Sequence, residues 1–445
     1  MALKAGPNAS FASWAIARAK DMRAGDAGLI LPRALAAAAV LSVSTALTFG
    51  AQAASQKLWD NCASPDADTS IEACTKILRG KEPRKHRAVA LSNRAYSYIK
   101  KDRFDEAIAD ATEAIERDPK YVYAHDARAT GYYRKNDYDR AIADYTRAIE
   151  VNPKFASAFS SRASAYNDKG EHVLALADAT RAIELDPKSP YGYAERGSTH
   201  RRMGDADRAI ADLTRAIELK QDYAFSFNER GVAYANKNEV DRAIADFHRA
   251  IELHPKHFIA LNNRGNLYSA VGDRDAAIAD LTRAIELNPQ YIDAFLNRGL
   301  AYHGKGDYDR AIADHTEAIT RNPKIPVGYV YRANASYKKG DYARAIEDAT
   351  RAIELDPKNA AAFNVRGAAY VATDKQTEAM ADLNKAIELS PSLANPYKHR
   401  GVAYLKAGNY ALARADIEKA LALNPRYDDA KSALAEIEAA EAKPQ

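Results

Sequence analysis

The sequence predicts an all-α solenoid, in which one helical hairpin is stacked many times along the chain. The stretch DATRAIELDPK occurs at residues 178–188 and again, unchanged, at residues 348–358. Prolines also recur with a constant spacing of 34 residues, and Gln221 fills the one vacant slot. These prolines are Pro119, Pro153, Pro187, Pro255, Pro289, Pro323, Pro357, Pro391 and Pro425. A fixed period of this length is typical of repeat proteins, and ten copies fit between Ala88 and Tyr427.

Each repeat is expected to contain two helices, as residues 292–325 illustrate. Apolar or small residues return every three or four positions in both halves of this segment, which indicates two amphipathic helices. Gly306 and Asp307 interrupt the pattern and can supply a turn and the polar start of the second helix. Pro323 then ends that helix, because proline disfavours a helical conformation in the preceding residue and has no backbone N–H. Each repeat is therefore predicted to be a helical hairpin.

Small residues predict that the two helices of each hairpin lie close together. The eighth position of the repeat is always Gly or Ala, and the twentieth is always Ala, from Ala107 to Ala413. Antiparallel pairing brings these two positions to similar heights. We therefore expect the two backbones to approach closely there.

These constant positions resemble the tetratricopeptide repeat family. The features shared with that family are Gly or Ala at position eight, Tyr at position eleven in eight repeats, Ala at positions twenty and twenty-seven, and Pro at position thirty-two. The resemblance covers Ala88–Tyr427 and implies a right-handed superhelical solenoid whose first helices line a concave groove. It also implies a non-enzymatic scaffold that binds a protein or peptide and needs no cofactor. Fold alone does not name the partner.

Two charged positions depart from the family pattern. Position seven, commonly Leu in the family, is Arg in all ten repeats, and position twenty-three is always Asp. Arg264 with Asp280 and Arg298 with Asp314 are two such sets. A planar guanidinium that is partly buried suits a carboxylate partner, either across the hairpin or between neighbouring repeats. We expect a ladder of ion pairs that fixes the stacking register, and the alternative is an arginine stripe that binds a ligand.

Candidate partner-binding residues occupy the positions that line the groove in the family, namely two, five, six, nine, twelve and thirteen. One set consists of Asn262, Asn263, Asn266 and Asn297, whose amides can pair with both N–H and C=O of an extended peptide. The alternative for this set is simple solvation of a polar groove. A second set is aromatic and basic and comprises Tyr123, Tyr133, Arg134 and Tyr191. The basic and asparagine clamp with which some family members grip a C-terminal carboxylate is not reproduced.

Residues 1–54 are expected to be an N-terminal extension and signal peptide. Ala34–Phe49 is a short apolar stretch after a basic flank, and residues 51–53 (AQA) form an A-x-A cleavage site that leaves Ala54 as the first mature residue. A translation start at Met22 would give this signal an ordinary length. A spanning helix needs about 20 strongly apolar residues, so we expect no stable membrane span after cleavage. The chain is therefore predicted to be periplasmic or secreted, with an uncleaved membrane anchor and a mitochondrial targeting peptide as the alternatives.

Both ends of the repeat array are expected to be capped. Residues 55–87 contain the two cysteines of the chain, Cys62 and Cys74, and resemble a shortened hairpin. In an oxidising compartment these cysteines can form a disulfide, and the alternative is two buried thiols. No His lies at ligand spacing from either cysteine, which disfavours zinc. Residues 428–445 continue as a final helix, which is a usual end for a solenoid.

Charge and motifs exclude two classes of function. The chain has a formal net charge of +4, and its basic and acidic residues alternate along every repeat instead of forming a basic face, so nucleic acid is not expected as a partner. No phosphate-binding loop, nucleophile elbow or metalloprotease motif occurs. The sequence thus predicts an exported, non-enzymatic scaffold that binds protein segments. The alternative is an accessory protein of envelope biogenesis that binds glycan in the same groove.

Overall fold

The computed structural model describes residues 54–442, and helices joined by short turns make up this part of the chain, with no strand in it. The chain divides into two compact units, one ending at Ala260 and the other starting at Leu261. In both units, consecutive helices pair as hairpins, and each hairpin packs against the next. The predicted all-α class and the stacking of hairpins are confirmed.

The helices of the first unit are α1 (Gln56–Cys62), α2 (Ala67–Arg79), α3 (Arg84–Lys100), α4 (Phe104–Arg117), α5 (Val122–Arg134), α6 (Tyr138–Val151), α7 (Ala156–Lys169), α8 (His172–Leu185), α9 (Pro190–Arg202), α10 (Ala206–Leu219), α11 (Ala224–Asn236) and α12 (Val240–Leu253). Helix α13 (Phe258–Val271) contains the division between the units. The second unit continues with α14 (Arg274–Leu287), α15 (Ile292–Gly304), α16 (Tyr308–Arg321), α17 (Pro326–Lys339), α18 (Tyr342–Leu355), α19 (Ala360–Ala372), α20 (Gln376–Leu389), α21 (Ala394–Lys406), α22 (Tyr410–Leu423) and α23 (Asp428–Glu441). The ten repeats correspond to the hairpins from α3/α4 to α21/α22.

The turn inside every hairpin depends on one residue in the left-handed region. This residue is at position fifteen of all ten repeats, and its φ ranges from 54° at Asp374 to 95° at Gly272. Six of these residues are Gly and four are Asn or Asp, the residue types that adopt this conformation at least cost. The next side chain often caps the second helix, as Asp307 does by accepting a hydrogen bond of 3.1 Å from the backbone N–H of Arg310. The predicted turn at Gly306 and Asp307 is confirmed.

Close approach inside the hairpin explains the small residue at position eight. A Cβ atom placed on Gly231 would lie 2.8 Å from Phe247 Cε1 and 3.2 Å from the carbonyl oxygen of Ala243, at position twenty. In the six repeats with Gly at position eight, the facing residue at position twenty-four has a large side chain. In three of the four remaining repeats, both positions are Ala. The large residues are Leu213, Phe247, Leu281, His315, Leu383 and Ile417, and each is buried. The sizes of the two positions are therefore matched within each hairpin.

Candidate functional site

An ion pair joins the two helices of every repeat. Arg298 on α15 donates two hydrogen bonds of 2.8 Å, one from Nε to Asp314 Oδ2 and one from Nη2 to Asp314 Oδ1 on α16. Arg264 and Asp280 make the same bidentate contact at 2.7 and 2.8 Å. The other eight pairs are Arg94 with Asp110, Arg128 with Asp144, Arg162 with Asp178, Arg196 with Asp212, Arg230 with Asp246, Arg332 with Asp348, Arg366 with Asp382, and Arg400 with Asp416. The sequence left open whether each arginine pairs across its own hairpin or with a neighbouring repeat. In the structure, each arginine pairs with the aspartate of its own hairpin.

The same arginine also contacts the preceding repeat, which the sequence analysis missed. Arg298 Nη1 donates a hydrogen bond of 3.1 Å to the hydroxyl of Thr282, at position twenty-five of the repeat before it. Equivalent bonds join Arg162 to Thr146, Arg230 to Thr214, Arg332 to Thr316, and Arg366 to Thr350. The signal that could have revealed this contact is the recurrence of Thr at position twenty-five. One guanidinium therefore holds its own hairpin and its neighbour together, whereas its effect on the stacking register stays a prediction.

The four predicted asparagines of the second unit fall into two environments. Asn262 and Asn297 are buried, and Asn297 Nδ2 donates a hydrogen bond of 2.9 Å to Asn262 Oδ1 across the neighbouring first helices α13 and α15. Asn297 Oδ1 is also buried and has no hydrogen-bond partner among the described residues. Asn263 and Asn266 are half-buried and therefore reachable from solvent. Only these last two present accessible side chains to a partner.

The four predicted residues of the first unit are half-buried and engaged with neighbours. The Tyr123 ring lies edge-on to Phe155 with centroids 5.4 Å apart, and Tyr191 makes the same contact with Tyr223 at 5.6 Å. The hydroxyl of Tyr133 donates a hydrogen bond of 2.7 Å to Asp168, and Arg134 pairs with Asp102 at 2.9 Å. Tyr133 and Arg134 thus link adjacent repeats, whereas Tyr123 and Tyr191 contact the ring at the end of their own repeat.

A network of buried and half-buried charges connects three consecutive first helices of the first unit. Arg202 on α9 pairs with Asp168 on α7 at 2.9 Å, and Arg201 pairs with Glu229 on α11 at 2.8 Å. The hydroxyl of Ser198 donates to the same Glu229 carboxylate at 2.9 Å. The sequence analysis did not predict these pairs, because their members lie about one repeat apart at positions that vary between repeats. The two arginines are consequently neutralised by acids of the same protein.

Glu195 lies inside the same part of the first unit and is buried on α9. Burial raises the pKa of Glu195 to about 8, although a hydrogen bond with Ser164 acts in the opposite direction. The carboxyl group is therefore mainly protonated at neutral pH. This environment suits a neutral hydrogen-bonding group better than a third anion beside Asp168 and Glu229.

The cysteines lie in the predicted capping hairpin. The sulfur atoms of Cys62, at the end of α1, and Cys74, on α2, are 2.00 Å apart, and both residues are buried. The pair is therefore capable of forming a disulfide between the two helices.

Residues 54–442 contain neither a candidate metal site nor a candidate membrane-spanning helix. No group of three His, Cys, Asp or Glu side chains in this part of the chain is placed to hold a metal ion. Among the same residues, no helix combines the length and the apolar character that a membrane crossing requires. The predicted signal peptide and its cleavage site lie outside the described residues, except for Ala54 itself.

Comparison with known proteins gave consistent matches over most of the chain. Sequence models described as "Tetratricopeptide repeat" match residues 88–121, 127–190, 195–258, 228–268, 292–325, 326–359 and 394–427, and a model described as "TPR repeat" matches residues 270–306 and 367–408. The chain matches no curated protein.

Solved structures similar to this chain include the hetero-tetramer Cut9–Hcn1 of the APC/C, at 16% identity over 83% of this chain and 93% of that one, with a TM-score of 0.50. A tetratricopeptide repeat protein from Parabacteroides merdae is 23% identical over 56% of this chain and 99% of that one, with a TM-score of 0.48. Yeast Tom70 is 16% identical over 84% and 92% of the two chains, with a TM-score of 0.42. At these identities the likeness concerns the fold alone.

Proposed function

Because the chain belongs to the tetratricopeptide repeat family, whose members typically serve as scaffolds for protein–protein interaction, we propose that it binds segments of other proteins along its first helices. The proposal assigns no catalytic step to the protein. It concerns the faces of the first helices, where side chains vary from repeat to repeat.

The observation that carries the proposal is the placement of Asn263 and Asn266 on α13. Both side chains are half-buried, and both lie beside the buried pair formed by Asn262 and Asn297. An amide side chain offers both a donor and an acceptor, so a row of amides can bind the backbone of an extended segment without regard to its charge. Asn297 Oδ1 adds a buried acceptor that has no partner among the described residues.

The test is affinity capture with the protein from Ala54 onward and with a variant that carries Asn263→Ala and Asn266→Ala. Bound molecules from envelope extract are identified by mass spectrometry, with and without prior protease treatment of the extract. The control is Asn152→Asp, because Asn152 is exposed and other repeats carry Asp at the same position. We expect specific proteins that are lost from the asparagine variant and after protease treatment but are retained by the control. Identical captured proteins for all three forms would contradict the proposal, and capture that survives protease would favour a glycan ligand.

We further propose that the protein is exported. Supporting this are the apolar stretch Ala34–Phe49 with its A-x-A site and the cysteine pair, which suits an oxidising compartment. Expression of the full chain in a Gram-negative host, followed by fractionation and N-terminal sequencing, tests this directly. We expect a periplasmic protein that begins at Ala54. A protein that stays in the membrane fraction with its leader intact would show an uncleaved anchor instead.

A further inference from the structure

Most neighbouring hairpins are joined at their turns by the same ion pair. A lysine at position fourteen of one repeat contacts an aspartate at position eighteen of the repeat before it, as Lys169 does with Asp139 at 2.9 Å and Lys237 with Asp207 at 2.6 Å. The same contact joins Lys135 to Asp105, Lys305 to Asp275, and Lys339 to Asp309, and Lys101 makes it with Asp68 of the capping hairpin. This pair is therefore a standard feature of the junction between repeats.

One junction of the first unit carries apolar residues in both places. Between the hairpins α7/α8 and α9/α10, Met203 replaces the lysine and Val173 replaces the aspartate. Their exposed fractions are 50% and 75%, and that of the adjacent Leu174 is 47%. Two other junctions, with Ala343 and Thr373 and with Thr377 and Ala407, also lack both charges, but among the described residues this junction alone replaces both with large, exposed apolar side chains. We refer to Val173, Leu174 and Met203 as the apolar junction.

The same pair of hairpins forms an open cavity of about 360 Å³ at its surface. Its lining consists of Leu176 and Thr180 on α8, Arg196 and His200 on α9, and Arg208, Ala211 and Asp212 on α10. His200 occupies position eleven, which is Tyr in eight of the ten repeats. A smaller ring therefore stands where a tyrosine usually fills space.

A hydrogen bond found at neighbouring junctions is absent from this cavity. Arg162 Nη1 bonds to Thr146 at 2.8 Å, and Arg230 Nη1 bonds to Thr214 at 2.9 Å. The equivalent bond between Arg196 Nη1 and Thr180 is missing from the described structure, although Arg196 keeps its two bonds to Asp212. Arg196 and Thr180 both line the cavity, and the two side chains do not bond to each other there.

We propose that this junction is a second docking site, on which a partner peptide places a large apolar side chain and a neighbouring carboxylate. The apolar side chain would cover Val173, Leu174 and Met203. The carboxylate would reach Arg208, whose side chain is 74% exposed and only loosely paired with Asp205 at 3.4 Å. Arg196 Nη1 and the Thr180 hydroxyl would supply further hydrogen bonds. Because two arginines and one aspartate line the cavity, its net positive charge favours an acidic, apolar segment over a basic one.

This site is separate from the asparagines of the second unit, so the result of its test does not depend on whether those asparagines bind a partner. Val173, Leu174, Thr180 and the Leu176 side chain belong to a second helix, whereas the asparagines lie on first helices. A variant of one site can therefore be used while the other is left intact.

The test is selection from a random peptide library displayed on phage, with the protein from Ala54 onward as bait. The comparison variant carries Val173→Asp and Met203→Lys, which rebuilds the ion pair present at the other junctions and is expected to fold normally. We expect enriched peptides that combine an apolar residue with an adjacent Asp or Glu. A labelled peptide from this set should bind the variant at least about tenfold more weakly than the natural sequence. His200→Tyr, which fills part of the cavity, should also weaken binding.

The matched control is Leu412→Arg. Leu412 is an exposed apolar residue at position nineteen of the last repeat, where Arg310 stands in another repeat, and it lies in the second unit. This control should bind the peptide as tightly as the natural sequence does. Equal affinity of the Val173→Asp, Met203→Lys variant, or the absence of any enriched acidic and apolar peptide, would overturn the proposal. Self-association of the natural protein that this variant abolishes would overturn it too, because the occupant would then be a second copy of the chain.

Discussion

Arg298 contacts two structural neighbours at once. It binds Asp314 of its own hairpin through two hydrogen bonds and Thr282 of the preceding hairpin through a third. The planar, permanently charged guanidinium group makes all three contacts with little loss of conformational freedom. The single ammonium group of a lysine could not make them in this geometry. The constant arginine therefore has a packing explanation, and no ligand is needed to account for it.

Removing one member of this pair should cost more than removing both. Arg298→Leu or Asp314→Leu leaves a partly buried charge without its partner, so each should lower the free energy of unfolding by about 2–4 kcal/mol. The double variant leaves no unpaired charge, so its loss should be smaller than that of either single variant and therefore well below the sum of the two single losses. Urea unfolding of the four proteins measures these values, and strict additivity would contradict the proposed coupling.

Because of Glu195, the stability of the protein should fall as the pH rises above neutral. Burial raises the pKa of Glu195 in the folded protein to about 8, above its pKa in the unfolded chain. The folded state therefore holds this proton more tightly, and the resulting contribution to the free energy of unfolding is complete below the unfolded pKa and is lost as the pH rises toward 8. Glu195→Gln should remove this loss and be more stable than the natural sequence by about 1–3 kcal/mol at a pH of about 9. The control is Glu218→Gln at an exposed site. Parallel curves of unfolding free energy against pH for Glu195→Gln and the natural protein would refute this assignment.

Within each hairpin, the sizes of two facing side chains set the distance between the helices. A Cβ atom on Gly367 would lie 2.8 Å from Leu383 Cγ, whereas the next hairpin toward the N-terminus pairs Ala333 with Ala349. The space between the helices is therefore filled by two different combinations of residues.

This complementarity predicts a compensating pair of substitutions. Gly367→Ala should destabilise the protein by about 1–3 kcal/mol through overpacking. Leu383→Ala should cost about 2–4 kcal/mol through loss of buried apolar volume. The double variant recreates the Ala–Ala combination, so it should be more stable than the sum of the two losses implies. Additive losses in denaturant unfolding would show that the two positions are independent.

Hairpins and turns could be predicted from the sequence because their signals are local. The glycine at position fifteen, the aspartate after it and the proline at position thirty-two act within a few residues of their own position. The bond from Arg298 to Thr282 and the pair of Arg201 with Glu229 could not be predicted in this way, because they join separate repeats. For the same reason, the sequence did not show that Asn262 and Asn297 bind each other.

Across the whole molecule, ten hairpins use one framework and differ mainly in the residues outside it. Stacked repeats derive their stability from each hairpin and its nearest neighbours, so a side chain that takes no part in those contacts is free to change. Asn263 and Asn266, together with the apolar junction, stand outside the framework of Arg, Asp, Gly and Ala positions. The central claim is that one set of residues holds the fold and another recognises partners.

The most direct test of this claim compares binding and stability in the same variants. Once a captured partner is identified, its binding constant and the unfolding free energy are measured for the Asn263→Ala, Asn266→Ala protein and for Arg298→Leu. We expect the asparagine variant to lose affinity by about tenfold or more while its unfolding free energy stays within about 0.5 kcal/mol of the natural value. Arg298→Leu should show the opposite behaviour at temperatures where it remains folded. Unchanged affinity in the asparagine variant, or loss of affinity only in proportion to lost stability, would contradict the claim.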